Sequence, residues 1–261
     1  MDFNRVKIDM EESVALLALN HPEVMNAISL DMLEGLGDAM DFVEDKANNV
    51  RCLVLTGSGK GFCAGANLQG RNTGDKRGAG SVLESHYHPL LRRMRHLHCP
   101  IVTAVNGAAA GAGMSLSLMG DLVLAGRSAY FLQAFRRIGL VPDAGSTYIL
   151  PRRIGVARAM ELSLLGEKLP AEKALEWGLI NRVVEDGALM SEAKKLAQEL
   201  ANGPTVSLAL IRKLYWNSPE NSFEEQLDLE FRTQRVAGAT GDFKEGVAAF
   251  LEKRAAKFKG A

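Results

Sequence analysis

The chain carries no excess of either charge. Its 31 basic residues meet 31 acidic ones, so the formal net charge is zero. That removes the electrostatic footprint of a general nucleic-acid binder or a membrane-surface protein. Cysteine is scarce: Cys52, Cys63 and Cys99 are scattered and odd in number, with no CxxC pair and no Cys/His ligand spacing. That favours a reduced cytoplasmic chain over a secreted, disulfide-bonded or zinc-bound one, and no metal is expected. Long apolar runs are missing too, since none approaches the roughly 20 residues of a membrane helix. The opening Met1-Asp2-Phe3-Asn4-Arg5 lacks the pattern of a signal peptide. What remains is ordinary for a globular protein: 261 residues, 47% hydrophobic and 24% charged. Such a chain can bury a sizeable core without staples.

The first half is punctuated by short apolar runs at 14–19, 52–56, 101–105 and 122–125, each reading as a buried strand. A further short strand is expected at 129–132. Between them, Leu30, Leu33, Leu36, Met40 and Val43 recur at helical spacing behind a candidate N-cap, Ser29. Strands alternating with helices make an α/β fold. After Gly145 the chain reads as helices at 145–165, 171–177, 188–202, 205–216, 222–237 and 242–257, punctuated by glycine and proline. Residues 70–81 are rich in glycine and charge and read as a loop, either beside a site or simply solvated.

Two segments carry chemistry. Gly61 to Leu68 follows a buried strand and is small at Ala64, Gly65 and Ala66, which lets a ligand approach the backbone or packs a tight turn. Asn106 to Gly113 precedes the apolar helical run 114–119. Helix-opening N–H groups have no intrahelical partner and favour negative charge, and Gly111, Ala112 and Gly113 leave them reachable. Close packing through small residues is the alternative. About thirty residues further on comes Asp143, in Ile138-Gly139-Leu140-Val141-Pro142-Asp143. It is either the cap of the helix starting near Gly145 or an acid/base group beside an anion-stabilising turn. The second reading suggests proton transfer next to a carbonyl rather than addition of water.

These motifs, with His21-Pro22-Glu23-Val24-Met25-Asn26-Ala27, Ala174 to Ile180 and Phe250-Leu251-Glu252-Lys253-Arg254, resemble the crotonase superfamily, the enoyl-CoA hydratase/isomerase family, over nearly the whole chain. The resemblance implies a crotonase-like spiral of ββα units over 1–200 and a helical trimerisation region over 201–261. It implies a homotrimer or a homohexamer. It implies acyl-CoA thioester substrates, with coenzyme A part of the substrate and no separate cofactor. The thioester oxygen would be held by the N–H groups of Ala66 and Ala112. Asn67 departs from the family's common Asp. The two glutamates of the hydratase branch fall on Ser115 and Phe135, neither of which can act as such a base.

Asp143 matches the catalytic aspartate of isomerase branches. The stretch from Phe131 to Asp143 is most similar to the branch that isomerises 1,2-epoxyphenylacetyl-CoA. The implied activity is a double-bond shift or aryl-epoxide rearrangement with Asp143, Ala66 and Ala112 as the reacting groups. Implied substrate contacts are Met25, Ala27, Ala64, Asn67, Leu68, Tyr87, His88, Gly111, Phe135, Pro142, Phe250 and Lys253. Lys253 matches a lysine that reaches a neighbouring subunit's CoA phosphate in relatives. Three alternatives stay open: an aryl-CoA dehalogenase using Asp143 and His88, a hydratase, and an acyl-CoA-binding protein without catalysis.

Overall fold

The computed structural model describes residues 1–68 and 80–261. The strands are β1 (Asp2–Phe3), β2 (Val6–Glu11), β3 (Val14–Leu19), β4 (Cys52–Gly57), β5 (Ile101–Val105), β6 (Ala108–Ala110), β7 (Leu122–Gly126), β8 (Tyr130–Leu132), β9 (Lys168–Pro170) and β10 (Arg182–Val184). The helices are α1 (Leu30–Glu44), α2 (His88–His96), α3 (Ala112–Ser117), α4 (Ser146–Leu165), α5 (Ala171–Glu176), α6 (Leu189–Ala201), α7 (Thr205–Asn217), α8 (Phe223–Gly238) and α9 (Gly241–Leu251). Among the described residues, one sheet runs in the order β1-β2-β3-β4-β5-β7-β10, and a smaller one runs β6-β8-β9. From β3 to β10 every neighbouring pair in the larger sheet is parallel.

The apolar runs are continuous because both faces of this sheet are covered. Leu53, Leu55, Ile101 and Val105 face α1 and α2. Their sequence neighbours Cys52, Val54, Val102 and Ala104 face α6, through Leu189, Ala193, Leu196 and Ala197. Each buried Val or Leu contributes about 1.5–3 kcal/mol relative to an exposed one. Helix α1 begins as its sequence demands, with Ser29 Oγ accepting from the Met32 N–H at 3.3 Å.

Several elements depart from the expectations. Strand β2 was not expected, although Val6 and Ile8 are buried between a half-buried Lys7 and an exposed Asp9, the period-2 signal of a strand with one covered face. Strands β6, β9 and β10 are three residues each, too short for a period to show. Helix α4 is broken at Gly155, whose φ of 78° and ψ of 160° are not helical. The last helix stops at Leu251 rather than at 257, and Lys253 takes a φ of 54°. Beyond it the chain folds back. Arg51 donates to the Phe258 and Gly203 carbonyls, and the Asp242 carboxylate accepts from the Lys259 and Gly260 N–H groups.

Helix α7 is tied to the core by a buried ion pair. Arg212 Nε donates to Asp121 Oδ2 at 2.5 Å, and its two terminal nitrogens donate to the Leu97 and Met94 carbonyls. Asp121 Oδ2 also accepts from the Ile101 N–H at 2.7 Å. Burial raises the Asp121 pKa, against the pull of Arg212. Helices α8 and α9 bury few side chains, and Phe223, Phe231, Phe243 and Phe250 are all more than half exposed.

Candidate active site

The loop after β4 is stitched on both sides. Cys63 bridges to Ala109 of β6, its N–H donating to the Ala108 carbonyl and its carbonyl accepting from the Ala110 N–H, both at 2.9 Å. On the other side Ile28 N–H donates to the Gly65 carbonyl at 2.7 Å, and Asn67 N–H donates to the Ile28 carbonyl at 2.8 Å. Successive peptide groups of an extended chain point to opposite sides. The Ala66 N–H, between those two contacts, therefore points away from Ile28.

The Ala112 N–H opens α3 and has no intrahelical acceptor. Among the described residues neither amide donates to another part of the chain. Glycine is what lets these two loops meet. Gly65 has a φ of +97°, and a Cβ on it would fall 2.8 Å from the Ala110 carbonyl oxygen and 3.7 Å from the Ala112 nitrogen. A Cβ on Gly113 would fall 2.7 Å from both Cβ and Sγ of Cys63.

Both amides border a cavity of about 420 Å³. Ala64, Gly65, Ala66, Leu68, Gly111, Ala112 and Asp143 all line it. Leu83, Tyr87, Phe135, Leu140 and Val141 make apolar walls, and Arg137 adds a cation. Asp143 is half-buried, and its Oδ1 is withdrawn from bulk solvent. It is not a helix cap: the N-cap of α4 is Gly145, with no side-chain capping bond. The turn behind Asp143 is tight, with φ of +49° at Ala144 and +83° at Gly145. The Asp143 carbonyl accepts from the Ser146 N–H at 3.1 Å, from Ser146 Oγ at 3.0 Å and from Ser115 Oγ at 3.0 Å.

The two places where the resemblance puts the hydratase glutamates hold no carboxylate here. Ser115 is fully buried and spends its hydroxyl on the carbonyls of Asp143 and, at 3.4 Å, Gly111. Phe135 is 6% exposed, with its Cζ 3.8 Å from where a Cβ on Gly111 would stand. Cys63, beside the site, is an inert packing residue: burial pushes its thiol up to about 12. Among the described residues no three His, Cys, Asp or Glu side chains stand together as metal ligands would. No helix among them is long and apolar enough to cross a membrane.

The remaining expected contacts divide. Met25 is 43% exposed and gives its carbonyl to the Ala64 N–H at 2.9 Å, so it supports the loop through its backbone. Asn67 and Pro142 are half-buried next to cavity residues, and Ala27 is half-buried too, but none of the three is among the residues that line the cavity. His88 is exposed and is not among the described residues that line the cavity. Tyr87, Leu90 and Met94 form the inward stripe of this segment, and a residue one step along a helix is rotated by about 100° from that stripe. Phe250 lines a separate groove between α7, α8 and α9, and Lys253 is exposed just past α9. Within one chain neither reaches the cavity, because the tail turns back on itself. Val82, Leu83 and Arg137 line the cavity without having been anticipated. The first two sit at a π-helical turn, Leu83–Tyr87, whose composition carries no signature.

The family model described as Enoyl-CoA hydratase/isomerase matches residues 9–261. The chain is 47% identical over 254 residues to 1,2-epoxyphenylacetyl-CoA isomerase of Escherichia coli (strain K12), covering 96% of this chain and 97% of that one. It is 42% identical over 260 residues to a protein of Rhodobacter capsulatus named "Probable enoyl-CoA hydratase", covering 100% of both. The fold superposes on the crystal structure of an Enoyl-CoA hydratase/isomerase from Cupriavidus metallidurans CH34 with a TM-score of 0.92 at 31% identity, covering 100% of this chain and 98% of that one. Paired loops, small residues and overall topology thus agree with sequence similarity across the full length, and the chain belongs to the enoyl-CoA hydratase/isomerase family, the crotonase superfamily.

Proposed function

We infer that the protein is an acyl-CoA isomerase that shifts a double bond, or rearranges an aryl epoxide, through a thioester enolate. One observation carries the reading: among the described residues, Asp143 is the one carboxylate lining an apolar cavity that is also lined by Ala66 and Ala112, whose backbone amides are uncommitted. The amides of Ala66 and Ala112 hold the thioester oxygen and acidify the adjacent carbon. Removing one such donor costs about 10²–10³ in kcat, or about 2.7–4 kcal/mol. Asp143 takes a proton from one carbon and returns it at another, so the product is an isomer of the substrate. On an aryl epoxide the same amides hold the carbonyl while the ring opens. Coenzyme A enters as part of the substrate.

Ser115 and Phe135 favour this over hydration, because neither can hold or deprotonate an attacking water. The exposed His88 disfavours the dehalogenase reading. The relative named for isomerisation, at 47% identity, supports the choice of branch. We further propose a homotrimer or a homohexamer, built on the exposed phenylalanines of α8 and α9, with Phe250 and Lys253 serving a neighbour's site.

The test offers the purified protein crotonyl-, 3-enoyl-, epoxyphenylacetyl- and chlorobenzoyl-CoA and identifies products by mass together with chromatographic retention and ultraviolet spectrum, which separate an isomer from unreacted substrate. A product of unchanged mass from the 3-enoyl or epoxide thioester is expected. Gain of one water from crotonyl-CoA alone would make it a hydratase. Chloride release would make it a dehalogenase, and binding without turnover would leave only a binding protein.

A further inference from the structure

Two buried hydroxyls converge on one backbone oxygen. Ser115 and Ser146 are both fully buried, and each Oγ lies 3.0 Å from the Asp143 carbonyl. They come from different elements. Ser146 opens α4, immediately after the turn, and its own N–H donates to the same carbonyl at 3.1 Å. Ser115 belongs to α3, one turn beyond the Ala112 amide. The Ser115 bond is therefore the one that crosses the site: it joins the helix carrying an oxyanion donor to the loop carrying the acid.

That loop needs holding. Ala144 at a φ of +49° is a non-glycine residue in the left-handed region, which costs about 1–3 kcal/mol and persists only where the surroundings enforce it. The hydroxyl also approaches the Gly111 carbonyl at 3.4 Å, so it sits between the donor loop and the acid loop.

We propose that Ser115 is a positioning residue whose hydroxyl, seated on the Asp143 carbonyl, sets the separation between the acid and the Ala112 amide. The inference rests on the isomerase reading of the site. It adds a role for the side chain found where the hydratase branch has a base. Proton transfer depends steeply on approach, and a shift of about 1 Å can cost a hundredfold.

The test is Ser115→Ala in the full chain, alone and combined with Asp143→Asn. Serine to alanine at a buried helical position removes one oxygen and leaves helix propensity intact. Ser115→Ala is expected to lower kcat about ten- to a hundredfold. KM, and the Kd for a saturated acyl-CoA, should stay within about threefold, because the amides that bind the thioester are retained. In the Asp143→Asn background the same change should have no further effect on residual turnover. Independently of turnover, hydrogen exchange at the Ser146 amide should speed up at least about fivefold, since its acceptor is loosened.

Four results would overturn the proposal. They are a kcat within twofold of wild type, an equal loss in the Asp143→Asn background, a parallel loss of acyl-CoA binding, or unchanged exchange at Ser146. If the wild-type protein turns over no isomerase substrate, or Asp143→Asn keeps full activity, the functional reading fails instead. The exchange experiment then still decides whether Ser115 holds the loop.

Discussion

Gly65→Ala puts the paired-amide geometry under direct strain. A Cβ at this position would lie 2.8 Å from the Ala110 oxygen, 3.5 Å from its carbonyl carbon and 3.7 Å from the Ala112 nitrogen. A comfortable carbon–oxygen contact is about 3.3 Å, so the two loops must part by about 0.5 Å. The backbone at a φ of +97° adds a second cost, since alanine avoids that region. Strain and overpacking together amount to about 2–4 kcal/mol. At roughly 2–4 °C per kcal/mol for a chain of this size, the melting temperature should fall by about 5–15 °C.

The catalytic cost should be larger than the stability cost. The substitution pushes on the donor pair itself, and loss of one aligned donor predicts a fall in kcat of about 10²–10³. The assay pairs steady-state isomerisation with thermal melts at matched acyl-CoA saturation. Gly37→Ala is the control: it lies on α1, has nothing within 4 Å of its Cβ position, and should be neutral or stabilising by up to about 1 kcal/mol. If Gly65→Ala melts lower but keeps its kcat, the amides of Ala66 and Ala112 are not the oxyanion donors, and the mechanism built on them is wrong.

Other outcomes follow from the same structure. Asp143→Asn should reduce isomerisation to a small residual turnover while a saturated acyl-CoA still binds, as measured by calorimetry; near-full activity would remove the proposed acid. Burial raises the thiols of Cys63 and Cys99 to about 12, so the folded state holds protons that the unfolded chain releases above its ordinary thiol value of 9.0. Stability from these groups is intact below 9.0 and is lost as pH rises towards 12, at about 1.4 kcal/mol per pH unit for each thiol. Urea midpoints at pH 8 and pH 10 should show that decline, and Cys99→Ala should make it shallower; an unchanged slope would refute it. Phe231→Asp with Phe250→Asp should convert the proposed oligomer to monomers by light scattering, since these rings are 62% and 83% exposed in the single chain. An unaltered mass would move the interface elsewhere.

What could be read from residues alone follows from how local the cause is. The central strands were legible because burial on both faces writes an unbroken apolar run, as at Cys52–Gly57. The amide loops were legible because close approach of two backbones excludes side chains, leaving glycine and alanine at 64–66 and 111–113. The cavity wall was not. Val82 and Leu83 reach it from a π-helical turn, which depends on how α2 docks on α1 rather than on composition. His88 is exposed rather than in the cavity wall because adjacent helical positions diverge, and Tyr87 already holds the inward direction. Phe250 and Lys253 were placed at the site by likeness to relatives. Their position in one chain is set by the tail folding back through Arg51 and Asp242, contacts that join distant parts of the sequence.

The inventory of side chains around the cavity also bears on which reaction is feasible. Adding water across a double bond requires a water molecule held between acceptors and a group to deprotonate it. Here one of the two places is a phenyl ring, and the other is a hydroxyl already committed to two carbonyls. Moving a double bond has a smaller requirement. One proton leaves a carbon and one arrives at another, so a single carboxylate that accepts and then donates closes the balance. The enolate between those steps needs stabilisation but no second acid, and two backbone amides supply it without reorganising. Loss of the hydratase pair therefore need not mean loss of catalysis. On the isomerase reading proposed above, it removes water as a reactant while leaving in place the carboxylate and the two amides that a proton shift along the acyl chain would use.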